Sequence, residues 1–398
     1  METNKPTIWL VSGNFGQPSE VWMYRQATQM VRVDVTVVTR DHIDPHNYPV
    51  ASDRIKLMPA VQTATQVKWP LVEPLMSKFG IATRMLRNWR YGFFNGGANE
   101  VRWLLEQMKM HRPAVILAQY GTLALQLLPL AKMFEVPLVA HFHGHDLSSQ
   151  LRKAIYRFQL KKRAAQFAKC VVVAEYMREE LLKYGVDPGN IHKIPCGAPV
   201  VNIVPSQLVA EQPCRFLCVG RLVDKKRPDL TLRAFARAQA DIPAIRLTVI
   251  GNGPMQEDCQ RLAKELGIAD QVDFLGVQPS DRVATELQQA GCFVQHSVTA
   301  QSGDKEGWPV SIAEAAGVGL PIISTRHASI PEQVEHGVTG LLCAEGDWRM
   351  MGEHMKQLAT APQLREKMGK ASREKIAHFD SGNQIEQLEQ VLIDVAYS

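Results

Sequence analysis

No Cys-x-x-Cys pair occurs in these 398 residues, and the seven cysteines, Cys170, Cys196, Cys214, Cys218, Cys259, Cys292 and Cys343, are scattered and odd in number. That excludes a disulfide framework, and reduced, packed thiols are expected. Cys214 and Cys218 fall on one predicted strand, too extended to bridge. No run approaches the ~18 to 20 uncharged apolar residues that cross a bilayer. Met1 to Ser12 lacks the basic, apolar and small-residue order of a secretory signal, so a cytoplasmic protein is expected. Low-complexity tracts and short internal repeats are also missing. No Asp-x-Asp pair is present, so no metal or other cofactor is required. Without an aromatic stacking platform or helix-turn-helix pattern, nucleic acid is not an expected partner.

What is present is a long soluble chain. An apolar share of 45% is that of a globular protein, and 398 residues exceed one ordinary core, so two domains are expected. The net charge of +5 is unevenly spread. Residues 1 to 205 hold 25 Lys+Arg and 15 Asp+Glu, net +10, whereas residues 206 to 398 hold 20 and 25, net −5. Basicity confined to the first half points to an anionic partner met there.

Val- and Ile-rich runs alternate with helical stretches from end to end, the pattern of parallel sheets wound with helices. Strands are predicted at Thr7–Val11, Val33–Thr39, Ile55–Met58, Val115–Ala118, Leu138–His141, Cys170–Ala174 and Ile191–Ile194. A second series follows at Arg215–Val219, Arg246–Ile250, Val272–Leu275, Cys292–Gln295, Pro321–Ser324 and Gly340–Cys343. Intervening helices include Leu151–Ala168 and Val310–Ala316, and an amphipathic helix covers Asn383–Val395. The fold class is α/β, with two doubly wound units joined near Pro195–Gln212, where Pro195, Pro199 and Pro205 cluster, with Pro213 just beyond. A ligand would bind where the strand ends of the two units face each other.

Five segments carry chemistry. In Ser302–Glu314, Glu306 lies in a Gly/Pro loop and Glu314, after seven intervening residues, on the following helix; the free N–H groups at such a helix start suit a phosphate. Gly220-Arg221-Leu222-Val223-Asp224-Lys225-Lys226-Arg227 leaves a strand and precedes a helix, with cations that fit a diphosphate. Lys225 and Arg227 are expected at the surface. Gly251-Asn252-Gly253-Pro254 sits at another strand end, but Gln256 stands where a dinucleotide fingerprint needs glycine. Close packing would also explain both glycines. His141-Phe142-His143-Gly144-His145-Asp146 ends a strand; alternating histidines with a carboxylate admit a metal-ligand reading, though further ligands cannot be placed. In the first unit, Gly13-Asn14-Phe15-Gly16-Gln17-Pro18-Ser19-Glu20 joins a strand to a helix, with Ser19 as a cap.

Taken together, these segments resemble the retaining glycosyltransferases of family 4, exopolysaccharide-type members included, over nearly the whole chain. The resemblance implies a GT-B architecture of two Rossmann-like domains facing a cleft. Residues 1–200 would form an acceptor-binding domain, 201–380 a nucleotide-sugar domain, and 381–398 a helix returning toward the first. It implies catalytic roles for His143, Glu306, Arg221 and Lys226. Glu306 would lie beside the transferred sugar, Arg221 and Lys226 on the diphosphate, Glu314 on the ribose, and Gly307 and Trp308 would supply backbone donors. Gly16, Gly220, Gly253 and Pro309 would also line the donor, and Val277 to Asp281 the base. Asp146 matches the motif aspartate.

The implied reaction moves a sugar from a nucleotide diphosphate sugar, UDP by default and GDP next, to a glycan or polyprenyl-linked acceptor, with retention. A nucleotide-sugar epimerase of the same architecture and a metal-dependent hydrolase using His141–Asp146 are the alternatives. Two basic stretches suggest an anionic membrane surface as a further partner, placing the enzyme peripherally on the inner face of the cell membrane. One is Lys68–Phe94, with Trp69, Lys78, Arg84, Arg87, Trp89, Arg90, Tyr91, Phe93 and Phe94; the other is Leu151–Lys169, with seven cations and no acid.

Overall fold

The computed structural model describes residues 5–59, 98–199 and 214–398. Lys68–Phe94, Pro205 and Pro213 lie outside them. The Val- and Ile-rich runs fold into two parallel sheets. The first contains β1 (Thr7–Phe15), β2 (Asp34–His42), β3 (Ile55–Leu57), β4 (Val115–Gln119), β5 (Leu138–Phe142), β6 (Lys169–Val172) and β7 (Ile191–Lys193), ordered β3-β2-β1-β4-β5-β6-β7. The second contains β8 (Arg215–Val219), β9 (Arg246–Ile250), β10 (Val272–Gly276), β11 (Cys292–Val294), β12 (Ile322–Thr325) and β13 (Gly340–Cys343), ordered β10-β9-β8-β11-β12-β13. Each predicted strand is found, with ends moved by a few residues. β4 and β5 are buried along their whole length, as strands covered by helices on both faces must be.

Strand order reverses beside β1 in the first sheet and beside β8 in the second. At such a reversal the loops leaving the carboxyl ends diverge to opposite faces and open a crevice. The two crevices face each other, and every chemistry-bearing segment named above except Gly251–Gly253 reaches the cleft between them.

The helix expected over Leu151–Ala168 is broken. A 3-10 turn at Ser149–Arg152 ends at Lys153, extended at φ −82° and ψ 114°, before helix Ala154–Arg163 and a second turn at Ala164–Gln166. Within the first turn the Arg152 guanidinium donates to the Gln301 carbonyl across the cleft rim. Helix Pro362–Ile376 had no counterpart in the sequence reading. Helix Ser381–Ala396 places Leu388, Leu392 and Val395 in the core of the first sheet, and its Glu389 accepts from Arg32 Nε at 3.0 Å. All seven cysteines are free and buried.

Candidate active site

The cationic loop begins where β8 ends. Gly220, at φ 152°, lets the backbone turn against Lys226; a Cβ there would stand 3.1 Å from Lys226 Cε. From behind, Leu222 N–H donates to Asn252 O at 2.8 Å, and a Cβ on Gly253 would come within 2.3 Å of Leu222 O. Gly253 is thus a packing glycine holding the loop forward, and it does not line the cleft. Lys226 Nζ donates to Gln295 Oε1 at 3.1 Å and pairs with Glu306 Oε1 at 3.0 Å. Lys225, expected at the surface, is instead tucked into the cleft and pairs with Asp304 Oδ2 at 3.0 Å. Arg227 forks to Asp229 outside it. Arg221 lines the cleft, where its charge acts on Glu20.

Glu306 stands in the loop before helix Val310–Gly317, and Glu314 on that helix's second turn. Pro309 starts the helix without a capping side chain. The first-turn N–H groups of Val310 and Ser311 find no acceptor among the described residues, and both residues line the cleft. Such N–H groups, together with the helix dipole, favour an anion. The loop itself is fixed by its backbone: Tyr176 Oη donates to Glu306 O at 2.9 Å, and Glu306 N–H donates to His327 Nε2 at 3.1 Å. That ring accepts at Nε2, so its proton sits on Nδ1, 2.7 Å from Glu345 Oε1.

Burial pushes the Glu306 carboxyl up, but Lys226 and Lys225 outweigh it and hold the group below the ordinary carboxylate value. The same contest takes Asp304 down to about 2, with His145 and Lys225 winning over burial. Glu314 goes the other way: burial raises it, and Arg25, 3.6 Å off in the first unit, only partly restores it.

Opposite stands the loop after β5. Asp146 is fully buried and organises it, its two carboxylate oxygens accepting from His143 N–H at 3.0 Å and Gly121 N–H at 2.8 Å. His143 stacks on Trp22 with centroids 3.9 Å apart, and its Nε2 lies 2.8 Å from Gln119 Oε1. Gln119 uses its amide nitrogen on Gln26, so its oxygen accepts and His143 carries its proton on Nε2. Burial, then His141, pushes the His143 imidazolium well below the ordinary value, so the ring is neutral.

His141 faces inward, pushed down to about 3 by burial, and His145 turns out to Ser149, Gln150 and Asp304. Among the described residues both ring nitrogens of His141 lack a hydrogen-bond partner, and no group of His, Cys, Asp and Glu converges as metal ligands.

The two walls touch. A Cβ on Gly307 would lie 2.1 Å from His143 O, and one on Gly144 2.8 Å from Gly307 Cα. Around this contact the cleft encloses about 730 Å³. It brings together His143, Gly220, Arg221, Lys226, Glu306, Gly307, Trp308, Pro309 and Glu314. Trp308 also packs its indole on Phe379 within the first sheet's core. Gly16 and Val277 do not line this space: Gly16 turns at φ 78° against His42 and Tyr48, and Val277 is 56% exposed.

Several cleft residues had no sequence signal beyond their type. Trp22 and Tyr120 belong to no motif, nor does Arg25 opposite Glu314, while Glu20 stands only as the last residue of the Gly13–Glu20 segment. Tyr120 holds φ 71°, a strained backbone for a non-glycine, and donates its hydroxyl to Glu20.

Two family models match in succession: Glycosyltransferase Family 4 over residues 19–200 and Glycosyl transferases group 1 over residues 202–375. The chain belongs to the family 4 glycosyltransferases. Among curated relatives of this family 4 enzyme, the amylovoran biosynthesis glycosyltransferase AmsK of Erwinia amylovora is 29% identical over 60% of this chain and 59% of its own length. The putative colanic acid biosynthesis glycosyltransferase WcaL of Escherichia coli is 28% identical over 67% of each. The chain thus spans about three fifths to two thirds of the length of these relatives. Anabaena Alr3699/HepE, solved in complex with UDP-glucose, has the same fold, with a TM-score of 0.73 over 98% of this chain and 100% of that one at 16% identity.

Proposed function

We propose that this family 4 enzyme transfers a sugar, with retention, from a nucleotide diphosphate sugar to a hydroxyl of a glycan or lipid-linked acceptor in exopolysaccharide biosynthesis. One observation carries the reading: Arg221, Lys226 and the free N–H groups of Val310 and Ser311 converge on one cleft wall, opposite a neutral His143. Positive charge and free amides placed where a diphosphate departs stabilise the leaving group electrostatically. Glu306, held by Lys226, orients the sugar; Glu314 takes the ribose; His143 positions donor and acceptor. The acceptor hydroxyl enters on the face the diphosphate leaves and gives its proton to the leaving oxygen, so no protein nucleophile is needed.

AmsK and WcaL are named for polysaccharide biosynthesis, which supports the pathway class. HepE binds UDP-glucose, and GDP-mannose-dependent mannosyltransferases of mycobacteria are 25 to 26% identical to this chain; UDP is the default base and GDP the next. A thermal-shift panel of UDP, GDP and their sugars tests the reading, because a ligand that binds only the folded state raises its melting point. A shift with one base and its sugars is expected. No shift with any of them, or an epimerised sugar released without transfer, would sink the proposal.

A further inference from the structure

Helix Ala154–Arg163 is amphipathic in an unusual sense. Tyr156, Gln159 and Leu160 face the first sheet's core, while the outer face carries Ile155 and Phe158, 66% and 62% exposed. Large apolar side chains exposed singly need no explanation, but two on neighbouring positions of one helix face do. Arg157, Lys161 and Lys162 share that face, with Lys153 just before it, and none of the four makes a salt bridge among the described residues. No Asp or Glu occurs from Leu151 to Lys169.

We propose that this face docks on the anionic phospholipid surface of a bilayer. Charge and shape together select that partner. Unpaired cations are attracted to acidic headgroups, and Ile155 and Phe158 gain by entering the acyl boundary beneath them. A nucleic acid or soluble polyanion would satisfy the cations and leave both apolar side chains in water. The face also adjoins the site. The turn Ser149–Arg152 leads from the cleft rim, where Arg152 meets Gln301 and His145 faces Asp304, directly into the helix. Docking there would hold the cleft mouth near the membrane, within reach of an acceptor on a lipid carrier.

The test is flotation of the full chain with vesicles of phosphatidylglycerol or of phosphatidylcholine alone, at low and high salt. Co-flotation with the anionic vesicles, reversed by salt and absent with the neutral ones, is expected. Lys161→Ala/Lys162→Ala should weaken binding about 30-fold, at about fivefold per cation. Ile155→Ser/Phe158→Ser should weaken it while keeping its salt dependence. Both pairs lie outside the cleft, so any nucleotide-induced rise in melting point should persist, which separates failure of docking from failure of the transferase reading. No flotation with anionic vesicles, flotation indifferent to both double variants, or binding to heparin without binding to vesicles would each overturn the proposal.

Discussion

Replacing Gly307 by alanine puts a methyl carbon 2.1 Å from the His143 carbonyl oxygen. Real Cβ contacts essentially never fall below 3.0 Å, so the Ser302–Pro309 loop and the histidine loop must part by about 1 Å. Both loops are otherwise fixed, one by His327 and Tyr176 and the other by Asp146, so the displacement passes into the distance between Glu306 and His143. Overpacking of this kind costs about 1–3 kcal/mol of stability, whereas misplacing reacting groups by about 1 Å costs about 100-fold in rate. Gly307→Ala should therefore melt a few degrees lower and turn over about two orders of magnitude more slowly. Nucleotide release from the donor sugar, measured with a melting curve of the same sample, checks both. A variant with an unchanged rate would show that the two loops stand apart during turnover, and would refute their contact as part of the working site.

Lys226→Ala should cut turnover about 100- to 1000-fold. It should also destabilise the fold, because it strips the partner from a buried Glu306; Lys226→Ala/Glu306→Gln should recover the melting point without the rate. Asp146→Asn keeps one acceptor for two N–H groups and should lose about 1–3 kcal/mol with most of the activity; chemical denaturation and initial rates test it. Asp304 has a folded pKa of about 2, below its ordinary 3.8, so its contribution is present above about pH 4 and disappears as pH falls through 2. Asp304→Asn should thus cost about 2 kcal/mol near neutrality and little at pH 2 in paired denaturant titrations. Burial-raised Glu314 and Asp146 act with the opposite sign, losing stability as pH rises, and they cancel in that comparison.

The sequence alone determined the strands, because a strand buried on both faces must be continuously apolar, and Val115–Gln119 and Leu138–Phe142 can be little else. It also placed Arg221, Lys226, Glu306 and Glu314 beside strand ends and a helix start, since turn glycines and Pro309 are local signals. Only the tertiary structure decided which loops meet. Gly16, Gly253 and Val277 follow strand ends as plausibly as Gly220, yet Gly253 braces the cationic loop from behind and the other two do not line the cleft. Arg25 and Glu314 lie 289 positions apart and form a 3.6 Å pair across the cleft. Lys225 was pulled from solvent by Asp304 in the same way. Local pattern fixes φ, ψ and burial within a few residues of each position, whereas a partner across the cleft leaves no trace in the spacing of either side chain.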